Sequence, residues 1–289
     1  MTCWVMAPRL RASYAGVMSR PADLHAGTLL RHWRSVRRLS QLDVSGRTGV
    51  STRHLSCVET GRAKPSRELL LYLADEFEMP KRAVNDMLLA GGFAPVFSEY
   101  SLDDDALAAA RDVIRLVLDG NDPNPTTVID TRWNVVDANA AAFWFTAGVD
   151  PALLTAGLNV ARLSLHPDGL APRVTNFDEY AGQLLRQMRH VLVLTQDDEL
   201  RALIDECETY APTAARTMPT APDVVLPLRI VIDGVELSFL STVTTFGTAQ
   251  DVTLSELSIE TLYPADQTTR DTLAVRPWID RSSDRSAAV

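Results

Sequence analysis

Apolar residues between positions 26 and 92 recur at intervals of three and four, which is the spacing of helices that bury one face. This pattern predicts a first helix that ends at about residue 38, and further helices near residues 41–48, 52–59, 67–77 and 81–90. We expect these side chains to face a common core: Leu29, Leu30, Trp33, Val36, Leu42, Val44, Leu55, Val58, Leu69, Leu70, Leu73, Ala74 and Phe77.

Residues suited to begin and end helices stand at the predicted boundaries. Ser40 is a good N-cap, and Asp43 three residues later completes a sequence typical of a capping box. Gly49 can adopt the left-handed conformation that ends a helix, Ser51 caps the next helix, and Gly61 ends it. The prediction is therefore a helix, a short helix, a glycine turn and a helix, which is the order of a helix-turn-helix.

The remainder of the chain mixes helices with strands. A helix is predicted from about residue 106 to 118, then two short strands around a tight turn at 130–132, then a helix from about Asn139. Asp233-Gly234 joins two β-rich segments and is the strongest hairpin signal in the chain. A last strand ends near Tyr263. Two early strands, intervening helices and three late strands predict an antiparallel sheet with helices on one face.

Charge is distributed unevenly between these two parts. Residues 1–67 contain twelve Lys and Arg against three acidic residues, whereas the net charge of the whole chain of 289 residues is -9. A basic segment on an acidic body is expected where one domain meets a polyanion, although a solvated basic surface gives the same pattern. Three widely spaced cysteines favour a reducing cytoplasm, and the apolar segments are too short to predict a membrane span.

The basic segment LSQLDVSGRTGVSTRHLSCVETGRAKPS resembles the lambda-repressor-like DNA-binding domains of the xenobiotic-response-element (XRE) family. Gln41, the turn Gly49-Val50-Ser51, and Glu59 with Gly61 and Pro65 carry the resemblance. It implies that Gln41 contacts a phosphate and that Glu59 braces the fold. The DNA-binding residues that it implies are Gln41, Ser51, Thr52, Arg53, Ser56, Cys57, Arg62 and Lys64.

Within that set, the predicted contacts differ in kind. Arg53, at the start of the third helix, is expected to pair with guanine, and Arg62 and Lys64 are expected to contact backbone phosphates. Arg34, Arg37 and Arg38 either flank the DNA or form the solvated face of the first helix, and the sequence leaves both open. Because single modules of this kind bury little surface, we expect a homodimer on a palindromic operator in double-stranded DNA.

The segments DTRWNVVDANAAA and NVARLSLHPDGLAPRVTNFDEYAGQLLRQMRH resemble the ligand-binding domain of MmyB-like transcriptional regulators, which is PAS-like and follows such a helix-turn-helix. The resemblance implies an N-terminal all-α domain followed by an α+β domain, and a buried apolar cavity suited to a fatty-acid-like ligand. Phe143, Trp144, Phe145, Leu237 and Phe239 are expected either to line that cavity or to fill the core.

An anionic head group would need a cation or a hydrogen-bond donor. Arg173 is the candidate of choice because its planar guanidinium matches a carboxylate. His166 either donates beside it or serves as a hydrogen-bonding residue of its own loop. The expected division of the chain is a disordered extension at 1–22, a helix-turn-helix domain at 23–93, a linker and connecting helix at 94–125, a PAS-like domain at 126–265 and a tail at 266–289.

No motif of an enzyme is found in the sequence. The acidic runs Asp103-Asp104-Asp105 and Asp197-Asp198-Glu199 stand at predicted helix starts, where the helix dipole explains them better than a metal does. We therefore expect no catalytic residues, no metal and no cofactor other than a bound fatty-acid-like ligand. The favoured hypothesis is a ligand-responsive transcription factor. The alternative is a constitutive regulator whose body only dimerises or docks a protein, and an enzyme fused to a DNA-binding domain is disfavoured.

Overall fold

The computed structural model of the chain describes residues 25–155, 157–214 and 225–275. The extension predicted at 1–22 lies outside the described residues. The N-terminal part consists of the helices α1 (Ala26–Val36), α2 (Gln41–Thr48), α3 (Thr52–Glu59), α4 (Arg67–Glu76) and α5 (Lys81–Ala90). Its core contains Ala26, Leu30, Trp33, Val44, Leu55, Val58, Leu70, Leu73, Ala74, Phe77, Met79, Val84, Met87 and Leu88.

The predicted caps are confirmed. The Ser40 hydroxyl accepts from the backbone N–H of Asp43, and the Asp43 carboxylate accepts from the backbone N–H of Ser40, which makes a capping box at the start of α2. Gly49 ends α2 with a φ of +72°, and the Ser51 hydroxyl caps α3. The left-handed glycine turns the chain sharply, so that α2 and α3 form a helix-turn-helix.

Two local expectations were wrong. The helix α1 ends at Val36 rather than near Arg38, because Arg38 adopts a left-handed conformation with a φ of +56°. Leu42 does not face the core. It is 73% exposed, whereas Val44 is fully buried. A helix of only eight residues presents a narrow face to α1 and α3, and Leu42 lies outside that face.

The close packing of α1 on α3 depends on a glycine. A Cβ atom added to Gly27 would lie 1.9 Å from the carbonyl oxygen of Val58 in α3. That distance is far below van der Waals contact, so a side chain at this position forces the two helices apart.

The C-terminal part is built on one antiparallel sheet, which confirms the predicted α+β class with its PAS-like arrangement. The strands are β1 (Thr126–Ile129), β2 (Val135–Ala138), β3 (Leu228–Ile232), β4 (Val235–Thr245) and β5 (Ser258–Pro264), in the order β2-β1-β5-β4-β3. The Asp233-Gly234 turn joins β3 to β4 with two positive φ angles, as the hairpin prediction requires.

Helices lie against both faces of this sheet. The helix α6 (Ala108–Gly120) packs Ile114 and Leu118 against Val128 of β1 and Ile259 of β5. The opposite face meets a larger core that includes residues of the long helices α9 (Phe177–Thr195) and α10 (Asp198–Tyr210). The shorter helices are α7 (Pro151–Thr155), α8 (Val160–Leu165), α11 (Val252–Ser255) and α12 (Gln267–Ala274). The prediction of helices on one face alone was therefore too simple.

Two further segments differ from expectation. The helix expected from Asn139 is a short 3₁₀ helix over Ala142–Thr146, since the Asn139 side chain accepts from the backbone N–H groups of Thr126 and Ala142 and so closes a loop. Residues 267–274, expected within a tail, form α12, whose Leu273 is buried against the domain core.

Candidate functional site

The candidate DNA-binding surface is the exposed side of α3 and the loop that follows it. Leu55 and Val58 face the core, which turns the opposite side of the short helix outward. That outer side carries, with the cap before it and the loop after it, Ser51, Thr52, Arg53, Ser56, Cys57, Arg62 and Lys64, all exposed or half-buried. The seven predicted residues are therefore accessible to a partner.

No carboxylate in the described part of the chain neutralises the cations of this surface. Within the described ranges, Arg53, Arg62 and Lys64 are exposed and form no ion pair with a carboxylate. The nearest acidic residue along the helix, Glu59, is buried and occupied elsewhere. Positive side chains without internal partners provide the charge that duplex phosphates attract.

A buried ion pair joins α1 to the end of α3, beneath this surface. The guanidinium of Arg34 in α1 donates to both carboxylate oxygens of Glu59, at 2.6 and 2.8 Å, and to the carbonyl of Leu39. The Gln41 amide donates to the same carboxylate at 2.8 Å. Burial raises the pKa of Glu59, but the hydrogen bonds from Arg34 and Gln41 and the charge of Arg34 outweigh it, so that the pKa lies below its ordinary value.

Two of the arginines at the end of α1 have contacts within the protein. Arg34 belongs to the ion pair and not to a solvated face. Arg37 donates to the backbone carbonyls of Phe77 and Glu78, and its guanidinium lies 5.6 Å from the ring centre of Trp33. Both residues therefore help to hold α1 against the rest of the helical core, and contact of Arg34, Arg37 or the exposed Arg38 with DNA stays a prediction.

A cavity of about 860 Å³ lies in the C-terminal domain, between the sheet and the helices α8 and α9. Its volume is in the range of small-molecule sites. Apolar side chains dominate its wall, and they include Ile129, Trp133, Val135, Phe143, Phe145, Leu158, Val160, Leu163, Leu170, Leu184, Val191, Leu226, Leu228, Val243 and Leu262.

The structure divides the ligand-binding residues that the sequence suggested. Phe143 and Phe145 line the cavity. Leu237 and Phe239 are fully buried and do not line it, although the Phe239 ring packs 5.6 Å from that of Phe145. On β4 these two residues share a face with Ser241 and Val243, which line the cavity, so they belong to the core that continues beyond it.

His166 and Arg173 lie away from the cavity wall. The His166 ring contacts the Tyr210 ring at 4.7 Å between centres, and its Nδ1 accepts from the backbone N–H of Asp168. The Arg173 guanidinium lies near Gly148, 3.8 Å from the position of an added Cβ atom. His166 thus forms a hydrogen bond within its own loop, which is the second of the two roles considered for it in the sequence.

The polar groups of the cavity come from positions that the sequence analysis did not select. Arg186 and His190 on α9 and Glu260 on β5 line it, together with Tyr180. The periodicity of the sequence contained a signal for these lining residues. Tyr180 and the other lining residues of α9 share one helical face with the buried Leu184. Glu260 shares the inward face of its strand with Ser258 and Leu262.

Arg186 lines the cavity and carries the positive charge and the hydrogen-bond donors that an anionic ligand requires. It donates to the Gln183 side chain at 2.9 Å, and across the described residues it forms no ion pair. A guanidinium on the wall of a mostly apolar cavity, held only by a neutral amide, keeps donors available for a carboxylate.

A charged clamp joins the helix-turn-helix part to the sheet domain. The Arg82 guanidinium in α5 donates to both carboxylate oxygens of Glu256, at 2.7 and 2.8 Å, and to Glu99 in the linker at 2.5 Å. Hydrogen bonding to Glu256 raises the pKa of Arg82 above its ordinary value, burial opposes this, and the charges of the two carboxylates add to the rise. Glu256 lies two residues before the start of β5 at Ser258.

The linker itself is fastened at both ends. The Asn85 side chain in α5 binds the backbone of residues 96 and 97. On the other side, the Asp251 carboxylate accepts from the backbone N–H of Tyr100 at 3.0 Å, and the Thr253 hydroxyl donates to the carbonyl of Tyr100 at 2.7 Å. The connection between the two parts is therefore an ordered structure with directed contacts.

Other kinds of site are not seen in the part of the chain that the structure describes. No group of three or more His, Cys, Asp or Glu side chains there is arranged to hold a metal ion. None of the described helices is long and apolar enough to cross a membrane.

Comparison with known proteins agrees with this geometry. No curated protein matches the chain. Residues 25–85 match the model of a helix-turn-helix domain, which covers α1 to α4 and the start of α5. Residues 110–275 match the model of the ligand binding domain of MmyB-like transcription regulators, which covers the sheet and its cavity. These are domains of a DNA-binding transcription regulator and not of an enzyme family. The second match covers more than half of the chain, and the chain therefore belongs to the MmyB-like transcription regulators.

Proposed function

We propose that the chain is a DNA-binding regulator whose activity is set by a fatty-acid-like molecule in the cavity of its C-terminal domain. The observation that carries the proposal is the cavity of about 860 Å³ with a mostly apolar wall that includes the guanidinium of Arg186. An extended acyl chain suits such a wall, and its carboxylate suits Arg186. We assign its action on double-stranded DNA to the cytoplasm, which the three widely spaced cysteines favour.

The contacts with DNA follow from the exposed side of α3. Arg53 stands in the first turn of α3 with its guanidinium unengaged by any described carboxylate, so we assign it to a guanine edge in the major groove. Arg62 and Lys64 follow the helix and are assigned to backbone phosphates. Gln41 is assigned to a phosphate at the start of α2, in addition to its bond with Glu59.

The regulator acts as a homodimer on a palindromic operator. One helix-turn-helix module buries too little DNA surface for high affinity, which favours two symmetric half-sites. The exposed side of α6 offers a surface for the second copy, since Val113 and Leu116 are 47% and 72% exposed and lie one turn apart.

Ligand binding is transmitted through β5 and the clamp. Ser258, Glu260 and Leu262 on β5 line the cavity, and Glu256 just before the strand holds Arg82 of the DNA-binding part. A ligand that prefers one position of β5 then favours one position of α5. Control requires this difference in affinity, since a ligand that binds both positions equally shifts nothing.

The DNA assignment is tested with sites selected from a random duplex library by the full-length protein. In fluorescence anisotropy titrations, Arg53→Ala should lower the preference for one base pair by about 1–3 kcal/mol. Lys64→Ala should weaken all sequences alike and reduce the salt dependence by about one counterion. An equal and sequence-independent loss from both variants contradicts the assignment.

The ligand assignment is tested by calorimetry with dodecanoic acid and its methyl ester. Arg186→Gln should weaken binding of the acid and leave that of the ester unchanged, because only the acid carries a charge. Arg173→Gln is the matched control, since this arginine does not line the cavity. If dodecanoic acid neither binds nor changes operator affinity, the chain is a constitutive regulator and the proposal fails.

A further inference from the structure

Three polar side chains lie on the floor of the cavity where the three central strands lie side by side, with Ser241 diagonal to Glu260 and Val243 opposite it. Glu260 on β5 stands directly opposite Thr127 on β1. The hydroxyl of Ser241 on β4 donates to the Glu260 carboxyl. All three line the cavity, while Leu262 and Ile129 continue its apolar surface on either side.

The Glu260 carboxyl has more hydrogen-bonding capacity than its surroundings use. A carboxyl group offers about four acceptor positions. Within the described residues, the Ser241 hydroxyl is its hydrogen-bond donor, and the guanidinium of Arg186 on the same cavity binds Gln183 instead. The remaining capacity of Glu260 faces the space that a ligand would fill.

The surroundings of Glu260 disfavour a bare charge. Burial raises the pKa of Glu260, and the hydrogen bond from Ser241 lowers it by less. Burial also raises the pKa of Tyr180, which lines the same cavity, to about 12, with a further rise from the charge of Glu260. Titratable groups with a raised pKa on a cavity wall concentrate at functional sites.

A plain alkyl chain laid across this floor would cover the carboxyl without bonding to it. A hydroxyl on the chain would bond to it in either protonation state, because a hydroxyl both donates and accepts. Sites that hold a ligand hydroxyl in this way reject the analogue without it much more strongly than apolar pockets reject an extra methylene.

We propose that Glu260, with Ser241 and Thr127, forms a subsite for a hydroxyl group, so that the preferred ligand is a hydroxylated acyl chain and not a plain saturated one. This inference rests on the proposed function, which supplies the acyl chain. It adds a selectivity at the middle of the sheet, separate from the contact of the carboxylate with Arg186.

The test compares dodecanoic acid with a panel of hydroxydodecanoic acids that differ only in the position of the hydroxyl. Binding to the full-length protein is measured by isothermal titration calorimetry. At least one isomer should bind about tenfold more tightly than dodecanoic acid, which corresponds to about 1.4 kcal/mol. This wild-type measurement decides the proposal even where a variant fails to fold.

A variant then assigns the selectivity to Glu260. Glu260→Leu should abolish the preference for the hydroxylated isomer and bind dodecanoic acid at least as tightly as the wild type does. Glu236→Leu is the matched control, because Glu236 lies on the neighbouring strand β4, is exposed and does not line the cavity. It should leave both affinities unchanged.

The outcomes separate this inference from the proposed function. If dodecanoic acid binds at least as tightly as every hydroxylated isomer, the hydroxyl subsite is refuted and the acyl ligand stands. An unchanged preference in Glu260→Leu also refutes it. If the wild type binds neither class, the acyl ligand is refuted and the subsite with it.

Discussion

The clamp between Arg82 and Glu256 gives a direct prediction for the coupling between the two parts of the chain. Their side chains are 31% and 23% exposed and share two parallel hydrogen bonds of 2.7 and 2.8 Å. An exposed ion pair contributes about 0–1 kcal/mol, and breaking a buried one costs about 3–5 kcal/mol. The Arg82–Glu256 pair is intermediate in exposure, and Arg82 keeps Glu99 as a partner when Glu256 is removed. We therefore expect a coupling free energy between these limits, of about 1.5 kcal/mol.

A double-mutant cycle measures this coupling. The free energies of unfolding of the wild type, Arg82→Ala, Glu256→Ala and the double variant are obtained from urea titrations followed by tryptophan fluorescence. The pair Arg201 and Asp198 serves as the control cycle, because its atoms are 3.7 Å apart and its side chains are 52% and 92% exposed. That cycle should give a coupling of only about 0.3 kcal/mol.

The same variants test the route of ligand control. Arg82→Ala should still bind operator DNA, because the residue lies in α5 and away from the exposed side of α3. The change in operator affinity on addition of dodecanoic acid should shrink to less than about twofold, since the contact that transmits it is gone. A coupling no larger than that of the control cycle, or an undiminished response to the acid, would refute the reasoning.

Four further predictions concern the helical core and the dimer. Gly27→Ala should lower the free energy of unfolding by about 2–3 kcal/mol through the clash of its Cβ with α3. Gly46→Ala, with open space around its Cβ, should raise it by about 0.5–1 kcal/mol in urea titrations. Because the pKa of Glu59 is lowered in the folded chain, its contribution is present at neutral pH and is lost as the pH falls through that lowered pKa. Leu116→Lys should convert a dimer to a monomer in light scattering.

Each of these has an outcome that contradicts it. Equal stability of the two glycine variants would show that α1 and α3 separate without cost. In Glu59→Gln, the loss of stability between pH 5 and pH 3 should be smaller than in the wild type, and an unchanged acid profile contradicts the assigned role of the ion pair. A Leu116→Lys protein that remains dimeric places the interface elsewhere.

The elements of the fold were predictable where one local signal determined the structure. Ser40, Gly49 and Ser51 set the ends of α2 and α3 through their own side chains or backbone freedom. Leu42 was assigned to the core because it is apolar, but a helix of eight residues buries only the side that its neighbours cover. Which side that is depends on tertiary packing, and the same reason explains why α12 was missed.

The ligand site was less predictable than the DNA-binding surface. All the proposed DNA contacts come from one continuous segment, so spacing along the chain was enough to bring them together. The cavity is assembled from β1, β4, β5, α8 and α9, which are distant in sequence. Arg173 was chosen for its chemistry, whereas the guanidinium that lines the wall belongs to Arg186, and only the packing of α9 on the sheet decides between them.

The strand β5 is confined on every side. Its edges bond to β1 and β4, its inward side chains line the cavity, and its outward Ile259 packs with α6. Few substitutions there satisfy all these neighbours at once, so new ligand preferences in related regulators should arise through α9, where Gln183, Gln187 and Val191 meet the ligand space from a single helix face. A library that varies those three positions is where altered inducer specificity should be sought.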